Sequence, residues 1–136
     1  MLKFDLHTHT NVSDGELTPT ELVKLAKEEG VGLLSITDHD TIDGVAEGAK
    51  KAHELGIGFV NGVEINADFK TEMHILLYGF NLDNEVLKDT MKKVADFRIF
   101  RNKTMVELLQ KQGLDICYEE VEEVAGSGCI GRIHMA

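Results

Sequence analysis

Positive charge is what this chain has least of. Its 14 lysines and arginines stand against 24 aspartates and glutamates, for a formal net charge of −10. That balance excludes a basic patch as the means of binding nucleic acid or a membrane surface non-specifically. It leaves room for an enzyme acting on a nucleotide, because bound cations offset a local negative field. Cysteine is scarce too. Cys117 and Cys129 suit neither a disulfide framework nor a Cys-based zinc site, so a reduced, intracellular setting is expected. No apolar run reaches about 18 residues. Residues 1–10 lack the apolar stretch of a signal peptide, and no membrane association and a cytoplasmic location are expected. There is no GxGxxG and no Walker loop. Ser13 and Ser35 lack the strand–turn–helix setting of a nucleophilic serine. No internal repeat or low-complexity tract occurs.

What is present is one domain's length, 136 residues, with an ordinary 43% of hydrophobic residues. Lys3-Phe4-Asp5-Leu6 alternates like a strand, with Asp5, His7 and His9 facing one way. Asn11–Gly15 is turn-rich. Thr18-Pro19-Thr20-Glu21 predicts a helix start with Thr18 as N-cap, Pro19 at the first position and Glu21 closing a capping box; Gly30 ends that helix. Residues 33–37 read as a strand ending in Asp38-His39-Asp40. Asp43 is expected to cap a helix over 45–55. Residues 57–60 form a third strand leading into Gly62–Ile65, and 73–79 a fourth. The segment between Val63–Ile65 and Met73–Tyr78 is too short for a parallel crossover, which leaves an antiparallel pair or a shared edge. Asn84 starts one helix or two, up to about Gln112, and 118–125 reads as a short helix. The fold class is α/β, with a parallel sheet in its first units. The sheet is expected to be incomplete, the chain being cut within a larger α/β domain unless a partner chain supplies the missing strands.

The polar residues fall at strand ends. His7 and His9 close the first, His39 the second and Glu64 the third; His74 begins the fourth, and Asp14 lies in the loop above the first. Strand ends of a parallel sheet gather on one rim, where ligands bind. Imidazoles and carboxylates converging there suit zinc, manganese or iron better than calcium. Glu64 has two oxygens and is able to bridge two ions roughly 3.5–4 Å apart, the spacing used by two-metal hydrolases. Singly, each residue has a plainer reading: Glu64 as a solvated acid, His74 as a buried core histidine. Asp38 is expected to orient a ligand histidine, and Asp40 to turn its own loop. His134 is open between ligand and bystander, and His53 reads as a surface residue. Arg98, Arg101, Lys103 and Arg132 are candidates for a substrate phosphate, or else members of a solvated helix face.

Asp5-Leu6-His7-Thr8-His9-Thr10, Ser13-Asp14-Gly15, Thr37-Asp38-His39-Asp40-Thr41, Gly62-Val63-Glu64 and Gly131-Arg132-Ile133-His134 together resemble the PHP (polymerase and histidinol phosphatase) superfamily. The Thr-Asp-His-Asp-Thr form followed by Asp43-Gly44 looks most like its stand-alone metal-dependent phosphoesterases, a branch with nucleoside-bisphosphate phosphatases and an RNA-trimming activity. The resemblance implies a distorted (β/α)7 TIM-like barrel. Residues 1–136 would be its N-terminal portion, and 84–130 a helical insertion over the active site. It implies up to three divalent ions (Mn, Zn or Fe) held by His7, His9, Asp14, His39, Glu64, His74 and His134. The implied activity is hydrolysis of a phosphomonoester of a nucleotide or short oligonucleotide, short RNA included, by a metal-activated water. A histidinol-phosphate-type phosphatase and an inactive structural PHP fragment are the alternatives. Ile133 stands where the family has proline, and the family's last Asp-x-His motif lies past the end of this chain.

Overall fold

A computed structural model describes residues 3–67, 70–71, 73–126 and 130–135. Gly128, Cys129 and the side chains of Arg132 and Ile133 lie outside the described residues. In chain order the elements are β1 (Lys3–Asp5), α1 (Pro19–Glu28), β2 (Val31–Leu34), α2 (Val45–Leu55), β3 (Gly58–Phe59), β4 (Gly62–Ala67), β5 (Met73–Tyr78), α3 (Glu85–Lys111), α4 (Tyr118–Ala125) and a 3-10 turn, Arg132–Met135.

Local chemistry explains most of these boundaries. The capping box at α1 forms as expected: the Thr18 hydroxyl accepts from the Glu21 amide at 3.2 Å, and the Glu21 carboxylate accepts from the Thr18 amide at 2.9 Å. Asn84 caps α3 by accepting from the Leu87 amide at 3.1 Å. Residues 85–111 form a single helix, because no glycine or proline interrupts that run. Two expectations are corrected. Asp43 does not cap α2; Gly44 occupies that position without a side-chain bond, and Asp43 instead takes the Thr41 hydroxyl through its amide. The second strand covers 31–34 rather than 33–37. Beyond Leu34 the chain is tied to the first segment by separate bonds, Ser35 N–H to Asp5 O at 2.9 Å and Thr37 N–H to Thr8 O at 2.8 Å.

β1, β2 and β3 make a parallel sheet in that order, while β4 and β5 pair antiparallel, as their short connection requires. α1 and α2 pack on each other, with α1 against β2 and α2 against β3. The core there joins Val23 and Ala26 of α1, Val31 and Leu34 of β2, Ala52 of α2 and Ile57, with Leu55 and Phe59 against it. Each of the larger side chains contributes about 1.5–3 kcal/mol by leaving water.

The second sheet joins the chain beyond β2 through a parallel bridge between His39 and Glu64. Gly62 permits it. A Cβ there would lie 2.2 Å from Ser35 Oγ and 2.9 Å from Ile36 O, so only glycine lets β4 come this close to residues 35–37. No helix among the described residues is long and apolar enough to cross a membrane.

Candidate metal centre

His7 and His9 lie just past β1, with Thr8 between them facing the other way. Thr8 donates its hydroxyl to Ser35 O at 2.8 Å, so the two imidazoles share the opposite side, their ring centroids 5.2 Å apart. Both reach one oxygen: Glu64 Oε2 is 3.0 Å from His7 Nε2 and 3.2 Å from His9 Nε2. The Tyr78 hydroxyl steadies this segment by donating to Leu6 O at 2.6 Å.

The loop after His9 brings Asp14 back over the rings. Gly15 donates its amide to Thr10 O at 2.9 Å, and a Cβ on Gly15 would sit 2.5 Å from His9 O. Asp38 holds the base of this loop. Fully buried, it accepts from the Thr10 amide, the Thr10 hydroxyl and the Ser13 hydroxyl, each at 2.7 Å. Asp38 therefore positions the Asp14 loop and not, as expected, a histidine; all three bonds go to the threonine and serine that precede Asp14. Asp14 itself lies 3.5 Å from His9 Nδ1 and 3.6 Å from His39 Nε2.

Glu64 is the hub. Its side chain is only 6% exposed, which removes the reading of a solvated strand-end acid. In the β4–β5 register Glu64 faces Leu76 and Asn66 faces His74, so Glu64 and His74 are diagonal neighbours on one face. His74 Nδ1 is 2.8 Å from Glu64 Oε1, while His39 Nδ1 approaches Oε2 at 3.5 Å. His74 thus stands beside Glu64 with its ring partly open to solvent, and is not a core histidine. The rings of His9 and His39 are 4.6 Å apart, and those of His39 and His74 5.0 Å.

The electrostatics of two of these groups, Glu64 and His39, favour the forms that bind a metal. Burial pushes the Glu64 carboxyl upward, but hydrogen bonds with His7 and His74 and the nearby His39 and His7 charges outweigh it, and the net shift is downward. Burial lowers His39, against the pull of Asp14 and Glu64, which favours the neutral ring. A carboxylate and a neutral imidazole are forms that a divalent ion requires of its ligands. Two observations fit one. His9 Nδ1 and His39 Nδ1 are buried without a hydrogen-bond partner, although each lies 3.5 Å from a carboxylate oxygen. Donors bound about 2.0–2.1 Å from a tetrahedral ion lie about 3.4 Å from each other. Among the described residues three donor groups have all their ligand atoms within 4.8 Å of one another: His7, His9 and Glu64; His9, Asp14 and His39; His39, Glu64 and His74. Glu64 belongs to two of them and, with two oxygens, is able to serve neighbouring ions; His9 and His39 also belong to two, but a neutral ring offers one lone pair and serves only one ion.

His134 stands apart. It is in none of these groups, and its Nδ1 accepts from the Gly131 amide at 2.9 Å. In a neutral ring that bond occupies the Nδ1 lone pair and leaves the proton on Nε2, so neither nitrogen has a lone pair free for a metal. Asp40 does not merely turn its own loop. It accepts from the Asn66 amide at 2.9 Å, from Asn66 Nδ2 at 2.6 Å and from Arg98. Arg98 is buried and paired, neither on a solvated face nor open to a phosphate. Arg101 bonds the Asn102 side chain, and Lys103 lies over the Tyr118 ring at 5.1 Å. His53 is exposed, as expected. Tyr78 and Asn66 carry no sequence signal alone. The period-two spacing that joins them to His74 and Glu64 is the trace that would have found them.

Comparison with known proteins agrees with this geometry. Residues 5–134 match the family profile of the PHP domain. The chain belongs to the PHP domain family. It is 38% identical over 98% of its length to a 5′-3′ exoribonuclease of Haemophilus influenzae, covering 49% of that protein. It is 36% identical over 88% of its length to a 3′,5′-nucleoside bisphosphate phosphatase of Chromobacterium violaceum, covering 42%. Its fold superposes with a TM-score of 0.85 and 32% identity on the crystal structure of a protein described as a metal-dependent phosphoesterase from Bifidobacterium adolescentis. That match covers 98% of this PHP chain and 48% of the other. The chain thus spans about half the length of the curated relatives it matches.

Proposed function

We propose that this PHP chain carries the metal-binding rim of a phosphoesterase, with His7, His9, Asp14, His39, Glu64 and His74 as ligands. The observation that carries the reading is the sharing of one buried carboxylate, Glu64, by four imidazoles. The histidine–carboxylate donor set suits manganese, zinc or iron. Bound cations there supply a Lewis acid for phosphoryl oxygens and a water acidic enough to ionise near neutral pH. The chain's own groups arrange the site. Glu64 offers one oxygen toward His7 and His9 and the other toward His74. Asp14, on its Asp38-anchored loop, closes the side toward His9 and His39. His134 enters the ligand set only if the Gly131 bond breaks. Residues 84–130 are read as a helical insertion beside the site, supported by the Arg98–Asp40 pair. The free Cys117 suits a cytoplasmic setting.

The substrate class is a phosphomonoester of a nucleotide. The test has two stages. Metal analysis of the chain, wild type against Glu64→Gln, is expected to show bound Mn, Zn or Fe with at least one equivalent lost in the variant. Phosphate release from a nucleoside 3′,5′-bisphosphate by the whole protein with manganese is expected next. A protein shown to hold metal that releases none refutes the substrate. The likeness to an exoribonuclease favours a second reading, a short RNA end, which an oligonucleotide digest separates from the first.

A further inference from the structure

We propose that Arg98 is a positioning residue of the metal centre, a fork on α3 that clamps the loop after His39 and the segment before His134. The inference rests on the metal-centre reading above. Arg98 is 8% exposed and reaches in two directions. Its Nη1 donates to Asp40 Oδ2, and its Nε donates to Ile130 O at 2.9 Å. Asn102, one turn further along α3 and fully enclosed, donates Nδ2 to the same Ile130 carbonyl at 2.9 Å. Both lone pairs of that carbonyl are therefore taken by one helix face. The next residue, Gly131, is the one whose amide holds His134.

The other arm explains Asp40. This residue is 3% exposed and adopts φ 58, a left-handed conformation unusual for a residue with a Cβ. It follows His39 directly, and its amide donates to Glu64 O at 2.8 Å. Its carboxylate takes the amide and side chain of Asn66, two residues beyond Glu64. Asp40 thus fixes the spacing between two members of the ligand cluster while carrying a buried charge. Among the described residues Arg98 is the cation paired with it. A buried carboxylate without its cation is costly, and the structure around it relaxes when the partner is removed. Only a planar guanidinium serves both acceptors at fixed angles; a lysine ammonium reaches one. With Nε and Nη1 committed to protein acceptors and the side chain buried, Arg98 holds the site from outside.

The experiment compares wild type, Arg98→Met and Arg98→Lys by titration with zinc or manganese alone, and by amide hydrogen exchange of the metal-free proteins. Loss of an outer partner of a metal site lowers metal affinity roughly 10- to 100-fold. That loss is expected for Arg98→Met, with a smaller one for Arg98→Lys. Exchange is expected to quicken at Asp40, Asn66 and His134 in Arg98→Met while the α1 amides stay protected. Wild-type affinity together with wild-type exchange in Arg98→Met overturns the proposal. So does lost binding of inorganic phosphate with metal affinity intact, which makes Arg98 a phosphate ligand. If Arg98→Met does not fold, Arg98→Lys decides: weakened affinity supports the clamp and unchanged affinity overturns it. If the wild type holds no metal, the reading of the cluster fails by itself, and exchange at Asp40 and Asn66 still decides for or against the clamp.

Discussion

Replacing Asp38 with asparagine tests how the Asp14 loop is held. The asparagine oxygen retains two of the three bonds, those from the Thr10 amide and the Ser13 hydroxyl. The third reverses: an amide NH2 then faces the Thr10 hydroxyl and donates to the lone pair that the Val12 amide, at 3.2 Å, leaves open. All three bonds lose their charge assistance. A hydrogen bond to an ion contributes about 1.5–3 kcal/mol and a neutral one about 0.5–1.5 kcal/mol, a difference of about 1 kcal/mol per bond. Across the site the expected loss is about 3 kcal/mol. Urea unfolding of the metal-free chain reads this as a midpoint lowered by about 1.5 M, for a slope of about 2 kcal/mol per molar. Metal titration gives the second readout. With Asp14 less firmly held, affinity falls roughly 10-fold or more. A variant within about 0.5 kcal/mol of wild type, with unchanged metal binding, would show that Asp38 does not anchor the loop.

Three further outcomes follow from the same structure. Gly62→Ala drives a Cβ into Ser35 Oγ and Ile36 O, so it is expected to cost about 1–3 kcal/mol and to weaken metal binding by moving Glu64 away from His39; unfolding and titration measure both. Acidification destabilises the metal-free chain. Glu64 and His39 are both shifted below their ordinary values of 4.5 and 6.5, so the unfolded state binds their protons more readily. Their stabilising contribution is complete above about pH 6.5 and is lost as pH falls, first through His39 and then, below about 4.5, through Glu64; denaturant midpoints that rise on acidification contradict this. Thr18→Ala removes the acceptor for the Glu21 amide and is expected to cost about 1 kcal/mol in urea unfolding. The Glu21 carboxyl, held low chiefly by its bonds to the Thr18 amide and hydroxyl, is then expected to titrate higher by NMR.

The sequence by itself determined much of this protein. Caps, stops and apolar stripes are local, so α1, a helical stretch starting at Asn84, α4 and the succession of strands follow from short-range chemistry, while the structure decided that 85–111 is one helix and not two. Period two set His7 and His9 on one side, and the residue types gathered at strand ends pointed to a polymetal rim. The tertiary structure alone decided which partner each polar group meets. Asp38, beside His39 in sequence, turns to Thr10 and Ser13 some 25–28 residues away. Asp40 takes Arg98 across 58 residues, and that pairing makes an arginine that reads as either a phosphate ligand or a solvated helix-face charge into the buried partner of a carboxylate. His134 faces Gly131 and stays outside the donor groups. The physical reason is one of range. A hydrogen bond or ion pair depends on separations of tenths of an ångström, set by how β4 packs against residues 35–37 through Gly62, and no local pattern records that distance.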